Sequence, residues 1–485
     1  MTPRSRLGTN AACLLAVVVA WGAIGASGAA SAGDGCSPRW ADFEGPDRFV
    51  QDLLVHDDGS GPALFIAGNN ATINGKSGGN AITKWDGTTL TPLMDQNGLG
   101  IEGQDVSRIA VFDSGSGPEL IAAGQFWRAG GQPTSQGIAK WDGTGWEVIQ
   151  DTSLPLPLTN GGSPGVRALF PYDDGNGEML YAVGGAPVTF SVGPNEPYSV
   201  ARWDGEGWFP TSDSDGLGPF RRTYAGASFD DGTGEALYVS GISFEPEFDS
   251  VKIAKWDGES WSVLPDPPGY SGFPTVEPNS LAVFDDGTGP RLFAGLAGLG
   301  PGGFDHSSLA AWDGTAWEII TDQIDNRIRR LQVVDLGDGP KLAVLGDFIA
   351  INGELMKGLA TWDGTSFSSF TDDGGTGVGG GFVGGGLVWS LATFDAGSGT
   401  DLYLGGVFTN AGNIDVVGFA KWDLCLPGPC VADLDPDGIL DLSDISLFVT
   451  GFSSLDPVAD LAEPFGTFDL ADISVFVTAF SAGCP

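Results

Sequence analysis

Near the C-terminus the stretch "DLDPDGILDLSD" spans residues 433–444. It sets Asp433, Asp435, Asp437, Asp441 and Asp444 at positions 1, 3, 5, 9 and 12 of a twelve-residue loop, with Gly438 at position 6. Carboxylates at positions 1, 3 and 5 converge on one hard cation, and glycine permits the sharp turn between them. Ile439, at position 7, would add a backbone carbonyl. Ca²⁺ suits such an oxygen donor set and would relieve the repulsion among the carboxylates. The plainer alternative is an acidic, solvated turn, but ligand spacing favours the metal. A second constellation follows in "DLAEPFGTFDLAD" (460–472), which keeps Asp460, Asp469 and Asp472, with Glu463 nearby. It has one residue too many and lacks acids at positions 3 and 5, so a second cation site and a structural remnant both stand open.

Each loop leads into a helix pattern. Ile445, Phe448, Val449 and Phe452 recur at i, i+3, i+4 and i+7, and Ile473, Phe476, Val477 and Phe480 repeat that stripe. Two loop-helix units burying these stripes against one another form the minimum core for so small a module.

Elsewhere the chain is organised by repetition. Trp-Asp recurs at Trp85, Trp141, Trp203, Trp256, Trp312, Trp362 and Trp422. Between these lie seven copies of a second element, including "HDDGSGPALFIAG" from His56 and "FDDGTGEALYVSG" from Phe229. A unit reads as four strands: "RIAVFD" (108–113), "ELIAAGQF" (119–126), "GIAKWD" (137–142) and "GWEVI" (145–149). The Gly-rich and Asp-Gly turns between them are hairpin signals. Strands this short cannot bury both faces alone, whereas seven four-stranded units around an axis would. An all-β, seven-bladed β-propeller is the expected fold, with a linear β-solenoid as the alternative. The seventh unit lacks a fourth strand after "AKWD" (420–423), and "CSPRWADF" (36–43) has the spacing to supply it. The N-terminal segment is therefore expected to close the ring.

Arg4 and Arg6 precede an apolar run, Ala11 to Ile24, and small residues ending in Ala30-Ser31-Ala32. This is a secretory signal pattern, too short for a membrane span. The expected organisation is a signal peptide over 1–32, the propeller over 33–428 and the Ca²⁺ module over 429–485, with no transmembrane span after cleavage. Cys36, Cys425, Cys430 and Cys484 then remain, and four cysteines allow three pairings. In the repeat frame Cys36 and Cys425 both fall where the W-D-G turn would be, which predicts a Cys36–Cys425 bridge in place of the missing hairpin. The 62 acidic against 22 basic residues, a formal net charge of −40, argue against nucleic acid as a partner.

Signs of catalysis are sparse. His56 sits where other units carry Phe or Tyr, and reads as a packed strand residue beside the only other histidine, His306. The glycine run "GGTGVGGGFVGGG" (374–386) lacks a following Lys-Ser/Thr and reads as a flexible inter-blade loop rather than a phosphate cradle. "WDGTGW" departs from the sialidase Asp-box because its Asp and Gly are adjacent. The doubled aspartates of the "DDGTG" turns, such as Asp57-Asp58 and Asp230-Asp231, are explained by turn chemistry before metal.

The duplicated loop-helix pattern and the ending Gly483-Cys484-Pro485 resemble a type I dockerin, of the GC-type anchoring domains of secreted bacterial proteins. The resemblance implies Ca²⁺ binding by Asp433, Asp435, Asp437, Asp441 and Asp444, a Cys430–Cys484 bridge clasping the ends, and a cohesin-like or cell-envelope receptor. The "GG…iAkWdG…W" units are similar to kelch-like repeats and imply a scaffold rather than an activity. Together these imply a secreted or surface-attached, non-catalytic protein whose ring displays a glycan- or protein-binding surface. The alternative is a polysaccharide-active hydrolase or lyase working from the ring's central cleft.

Overall fold

In the computed structural model, Pro38–Leu424 forms one compact unit. It is described apart from short segments, of which the longest are 150–164, 212–219, 244–250 and 269–276. Of the C-terminal region, residues 432, 434, 440, 442–462 and 468–482 are described.

Among the described residues of the first unit there are seven antiparallel sheets of four or more strands, numbered 1 to 7 here in chain order from the sheet that begins with Val50–Asp57 to the one that begins with Leu387–Asp395. Sheet 2 is representative: Ile101–Asp113, Pro118–Ala129, Ile138–Trp141 and Trp146–Val148 pair in sequence order. The first two strands run further than the expected 108–113 and 119–126. A continuous apolar run buries both faces, so Leu120, Ile121, Ala122 and Ala123 are all fully buried. The W-D tryptophan closing each third strand lies across from the first residue of the fourth, as in Trp141↔Trp146, Trp256↔Trp261 and Trp312↔Trp317.

Sheet 7 is completed from the other end of the chain. Arg39–Ala41 pairs antiparallel with Phe419–Asp423, placing Trp40 opposite Trp422. The two indoles meet edge to face at 4.9 Å. Phe43 follows, edge-on to Trp85 at 5.0 Å and Tyr403 at 5.7 Å. Arg39–Ala41, inside the expected 36–43 segment, thus supplies the strand that the seventh unit lacks.

The sheets are stitched together by their turns. The W-D-G glycines have positive φ, +90° at Gly143, a conformation that glycine adopts without strain. A Cβ at Gly143 would lie 2.3 Å from the Asp58 carbonyl oxygen of the preceding sheet. Gly314 meets Asp231 in the same way, and Gly87 of sheet 1 meets Ala396 of sheet 7. Outer-strand indoles add a second stitch: Trp146 Nε1 donates to Leu93 O (3.2 Å) and Trp317 Nε1 to Pro265 O (2.9 Å).

The glycine run differs from its expectation as a flexible loop. Asp372 pairs with Gly375, and Gly379 with Asn410, in two short ladders. Backbone bonds hold it further: Gly377 N donates to Phe370 O and Val378 N to Lys357 O. Residues 381–385 of the run lie outside the described residues.

In the C-terminal region, Leu442–Ser454 (α1) and Leu470–Ala482 (α2) are the two expected helices. Their apolar stripes pack on one another, with Phe448 and Phe476 stacked at 4.1 Å over Ala432 and Ala459.

Candidate functional site

The first strands of the seven sheets share one irregularity. Counted back from the aspartate that ends each strand, the sixth residue is skipped in the ladder, a β-bulge. The bulged residues are Gln51, Ser107, Arg167, Tyr224, Asn279, Arg329 and Trp389. Bulges re-aim side chains and cluster at functional rims.

The next residue serves the neighbouring strand. Asp52 Oδ2 accepts Ile109 N–H (3.1 Å), Ser280 Oγ accepts Leu331 N–H (2.7 Å), and Ser390 Oγ accepts Leu53 N–H (3.0 Å). Each bond runs from one sheet to the next, the last from sheet 7 to sheet 1. Each first strand also packs against the first strand of the following sheet, and that of sheet 7 against that of sheet 1.

Between these strands lies a cavity of about 330 Å³. Its lining comes from six of the seven first strands and includes Arg108, Arg167, Arg329 and Arg330 against one carboxylate, Asp52. Asp52 is buried and takes a 2.5 Å bond from Arg330 Nη1. Arg329 Nη2 pairs with Asp347 at 2.9 Å. Arg108 Nε donates to Arg167 O (2.6 Å) and Nη1 to Ser107 O (2.5 Å). Burial holds the Arg108 guanidinium at about 10, below the usual arginine value; Asp52 opposes the shift, while Arg330 and Arg167 add to it. The Arg167 guanidinium lies 5.5 Å from the centre of the Tyr224 ring, within cation–π range. Asn279 Nδ2, Gln332 Oε1 and Arg329 Nε are buried without a hydrogen-bond partner among the described residues.

The carboxylates of the repeated turns have structural work. Asp57 Oδ1 accepts Gly59 N–H and Gly61 N–H, both at 2.9 Å. Its neighbour Asp58 pairs with Lys84 at 2.6 Å and accepts the Trp141 indole N–H at 3.2 Å. Asp231 likewise pairs with Lys255 at 2.6 Å. His56 packs 5.8 Å from Phe65, as expected of a strand residue, and burial lowers its pKa.

In the first acidic loop, Asp433, Asp435, Asp437, Ile439 and Asp441 lie outside the described residues, and Asp444 within them. Asp444 is fully buried at the start of α1, and its Oδ1 accepts Leu434 N–H at 2.7 Å. The second loop makes the same tether one residue later: Asp472 Oδ1 accepts Leu461 N–H at 2.8 Å. Asp469 and Asp472 together cap α2. Asp469 Oδ1 takes Ala471 N–H (2.7 Å), while Asp472 Oδ2 reaches back to Asp469 N–H (2.9 Å), a capping box. Burial raises the Asp472 pKa, but backbone N–H donors, those of Asp469, Ala462 and Leu461 among them, outweigh that and lower it overall. Asp460 is described; Glu463, Cys36, Cys425, Cys430 and Cys484 lie outside the described residues.

Sequence reasoning missed the arginine-lined cavity. Its signal was present: aligned on the turn aspartate, the seven first strands carry arginine or aspartate five or six residues earlier in some units and small residues in others.

No protein-family profile matches the chain, and no curated protein does. Among solved structures it is similar to the extracellular domain of a one-component system from B. thetaiotaomicron, at 13% identity and TM-score 0.44. It is also similar to PorZ, a surface component of the type-IX secretion system of Porphyromonas gingivalis, at 15% identity and TM-score 0.44. Both likenesses cover 79% of this chain but only 39% and 47% of those chains. An oxidoreductase from Thermus thermophilus, described as a glucose dehydrogenase, matches at 18% identity and TM-score 0.34, over 64% of this chain and 93% of its own.

Proposed function

We propose that residues 38–424 form a seven-bladed β-propeller acting as a non-catalytic binding scaffold, and that 429–485 form a Ca²⁺-dependent, dockerin-like anchor. One observation carries the scaffold reading: the succession of first strands returns on itself, with Ser390 of sheet 7 accepting Leu53 N–H of sheet 1. Pairing of Arg39–Ala41 with the last strand supports the same closure. A ring so closed is rigid, and its bulged positions vary from unit to unit, as a binding surface requires.

The anchor reading rests on the acidic loop's spacing and on buried Asp444. Asp433, Asp435, Asp437, Asp441 and Asp444 would hold Ca²⁺, ordering the loop against α1. The anchored partner would be a cohesin-like or cell-envelope receptor, and the protein would act outside the cytoplasm. Among the described residues, no helix is long and apolar enough to cross a membrane.

A glycan array probed with the full mature chain, run beside a reducing-sugar release assay, tests the scaffold reading. Saturable binding without release is expected. Turnover of a bound polysaccharide would overturn it in favour of a hydrolase or lyase.

A further inference from the structure

We propose that the cavity between the first strands binds a small polyhydroxylated acid, a sugar acid or sugar sulfate, through its oxyanion. This inference rests on the scaffold reading and names the ligand class.

The charge balance is the first argument. The chain carries 22 basic residues against 62 acidic ones. Four of the basic ones line this single cavity, opposite one carboxylate. Asp52 and Asp347 each take one guanidinium, from Arg330 and Arg329. Arg108 braces backbone carbonyls instead, with Arg330 and Arg167 near enough to depress its pKa. A bound oxyanion would relieve that repulsion, and the planar fork of arginine matches carboxylate and sulfate oxygens two at a time.

The second argument is polar complementarity. Asn279 Nδ2 is a buried donor and Gln332 Oε1 a buried acceptor, both on the cavity lining and both without partners among the described residues. Unmet buried polar groups cost free energy, and a ligand hydroxyl answers both kinds. Arg167 over Tyr224 adds a flat, half-apolar wall for a sugar ring.

Size and field exclude larger polyanions. A volume of about 330 Å³ lies at the small end of ligand pockets. A net charge of −40 would also repel an extended polyanion from the surrounding surface.

Binding of glucuronate, glucose 6-sulfate and glucose to the full mature chain, by calorimetry at fixed ionic strength, tests the proposal. At least one of the two acids should bind about tenfold or more tightly than glucose. Which acid binds identifies the source of the oxyanion. Arg167 is exposed, so Arg167→Ala should fold, and it should weaken acid binding about tenfold or more. Arg128→Ala makes the same change in charge at an exposed residue off the cavity lining, and should leave binding unchanged. Asn279→Asp should abolish binding. Equal affinity for glucose, no binding of either acid, or equal weakening by Arg128→Ala would overturn the proposal. Neutral glycans captured on the array would leave the scaffold reading standing in that event, whereas reducing-sugar release would remove the scaffold reading itself.

Discussion

Closure by the N-terminal strand gives a quantitative prediction for Trp40→Ala. Trp40 is 3% exposed, packs on Trp422 and donates its backbone N–H to Asp372 Oδ2 at 3.0 Å. The ring also fills space against Gly412, where a Cβ would come within 2.6 Å of it. Truncating a buried tryptophan costs about 3–5 kcal/mol through lost transfer energy and the cavity left behind. Trp208 is the comparison, because it occupies the matching position in sheet 3 and is 2% exposed. Its strand is tied to Trp203 by a tight turn, so Trp208→Ala leaves the hairpin covalently in place. The strand of Trp40 meets its partner from the far end of the chain; among the described residues side-chain packing, the bond to Asp372 and a three-residue ladder hold it. Both variants are compared with disulfides reduced, so that a Cys36–Cys425 bridge does not mask the difference. Loss of Trp40 should therefore release Arg39–Ala41 and expose the edge of Phe419–Asp423. Urea unfolding should show a loss of about 3–5 kcal/mol for either variant. Limited proteolysis should cut near residues 38–45 only in Trp40→Ala. A loss below about 1 kcal/mol for Trp40→Ala, beside the full loss for Trp208→Ala, would refute closure by this strand.

Other outcomes follow from the turns and the C-terminal loop-helix region. Gly143→Ala forces a positive φ on alanine and drives a Cβ against Asp58 O, so its melting temperature should fall; Gly145→Ala, with open space around it, should be neutral. Burial raises the Asp231 pKa, but bonds from Lys255, Thr233 and Tyr238 outweigh it and hold the carboxyl well below the usual range. Its stabilising contribution is thus present above about pH 4 and lost as pH falls toward the folded-state value. Asp231→Asn should lower stability at neutral pH by about 1–3 kcal/mol and flatten the acid limb of a melting-temperature profile. EDTA should lower the midpoint at which the far-UV helix signal of the full chain is lost, and Asp433→Asn should remove that sensitivity; an unchanged midpoint in EDTA would overturn the proposed Ca²⁺ site. Non-reducing peptide mapping should recover Cys36–Cys425 and Cys430–Cys484, and a Cys36–Cys430 link would overturn both.

The sheets were legible because their determinants repeat. A W-D-G turn needs glycine where φ is positive and a neighbouring carbonyl is close, so the same letters recur at Gly87, Gly143, Gly205, Gly258, Gly314 and Gly364. Leu424 stands in that place after Trp422, where Arg39–Ala41 provides the fourth strand. The helices were legible for the same reason, since two stripes at one period must meet. The capping box of Asp469 and Asp472 was less so: the same two carboxylates suit a cation or a helix start, and only backbone geometry shows them taking N–H groups. The cavity was hidden because its residues share no motif. Arg108, Arg167 and Arg330 come from three units far apart in sequence, and they converge only once the strands stand side by side.

That contrast bears on where function should be sought in this chain. Its acidity looks like a binding signal in composition, yet much of it follows from repetition. Among the described residues, six of the seven units use one aspartate to take two glycine N–H groups at the first turn, as Asp113 does at 2.7 and 3.0 Å. A further aspartate does the same at the W-D-G turn, as Asp142 does for Thr144 and Gly145 at 2.8 Å. A second turn carboxylate often pairs with the cation of the third strand, as Asp58 does with Lys84. Residues identical from unit to unit are thus those that every sheet needs in order to fold and abut its neighbour. A succession of equivalent sheets can bind an asymmetric ligand only where equivalence is broken. The bulge supplies such a place, because it frees a side chain from the ladder in all seven units without fixing its identity. Gln51, Ser107, Arg167, Tyr224, Asn279, Arg329 and Trp389 differ in charge, size and polarity while their backbones follow one rule. A side chain can change there without disturbing the ladder, so Arg167 and Arg329 can stand at bulged positions while the aspartates recur at the turns.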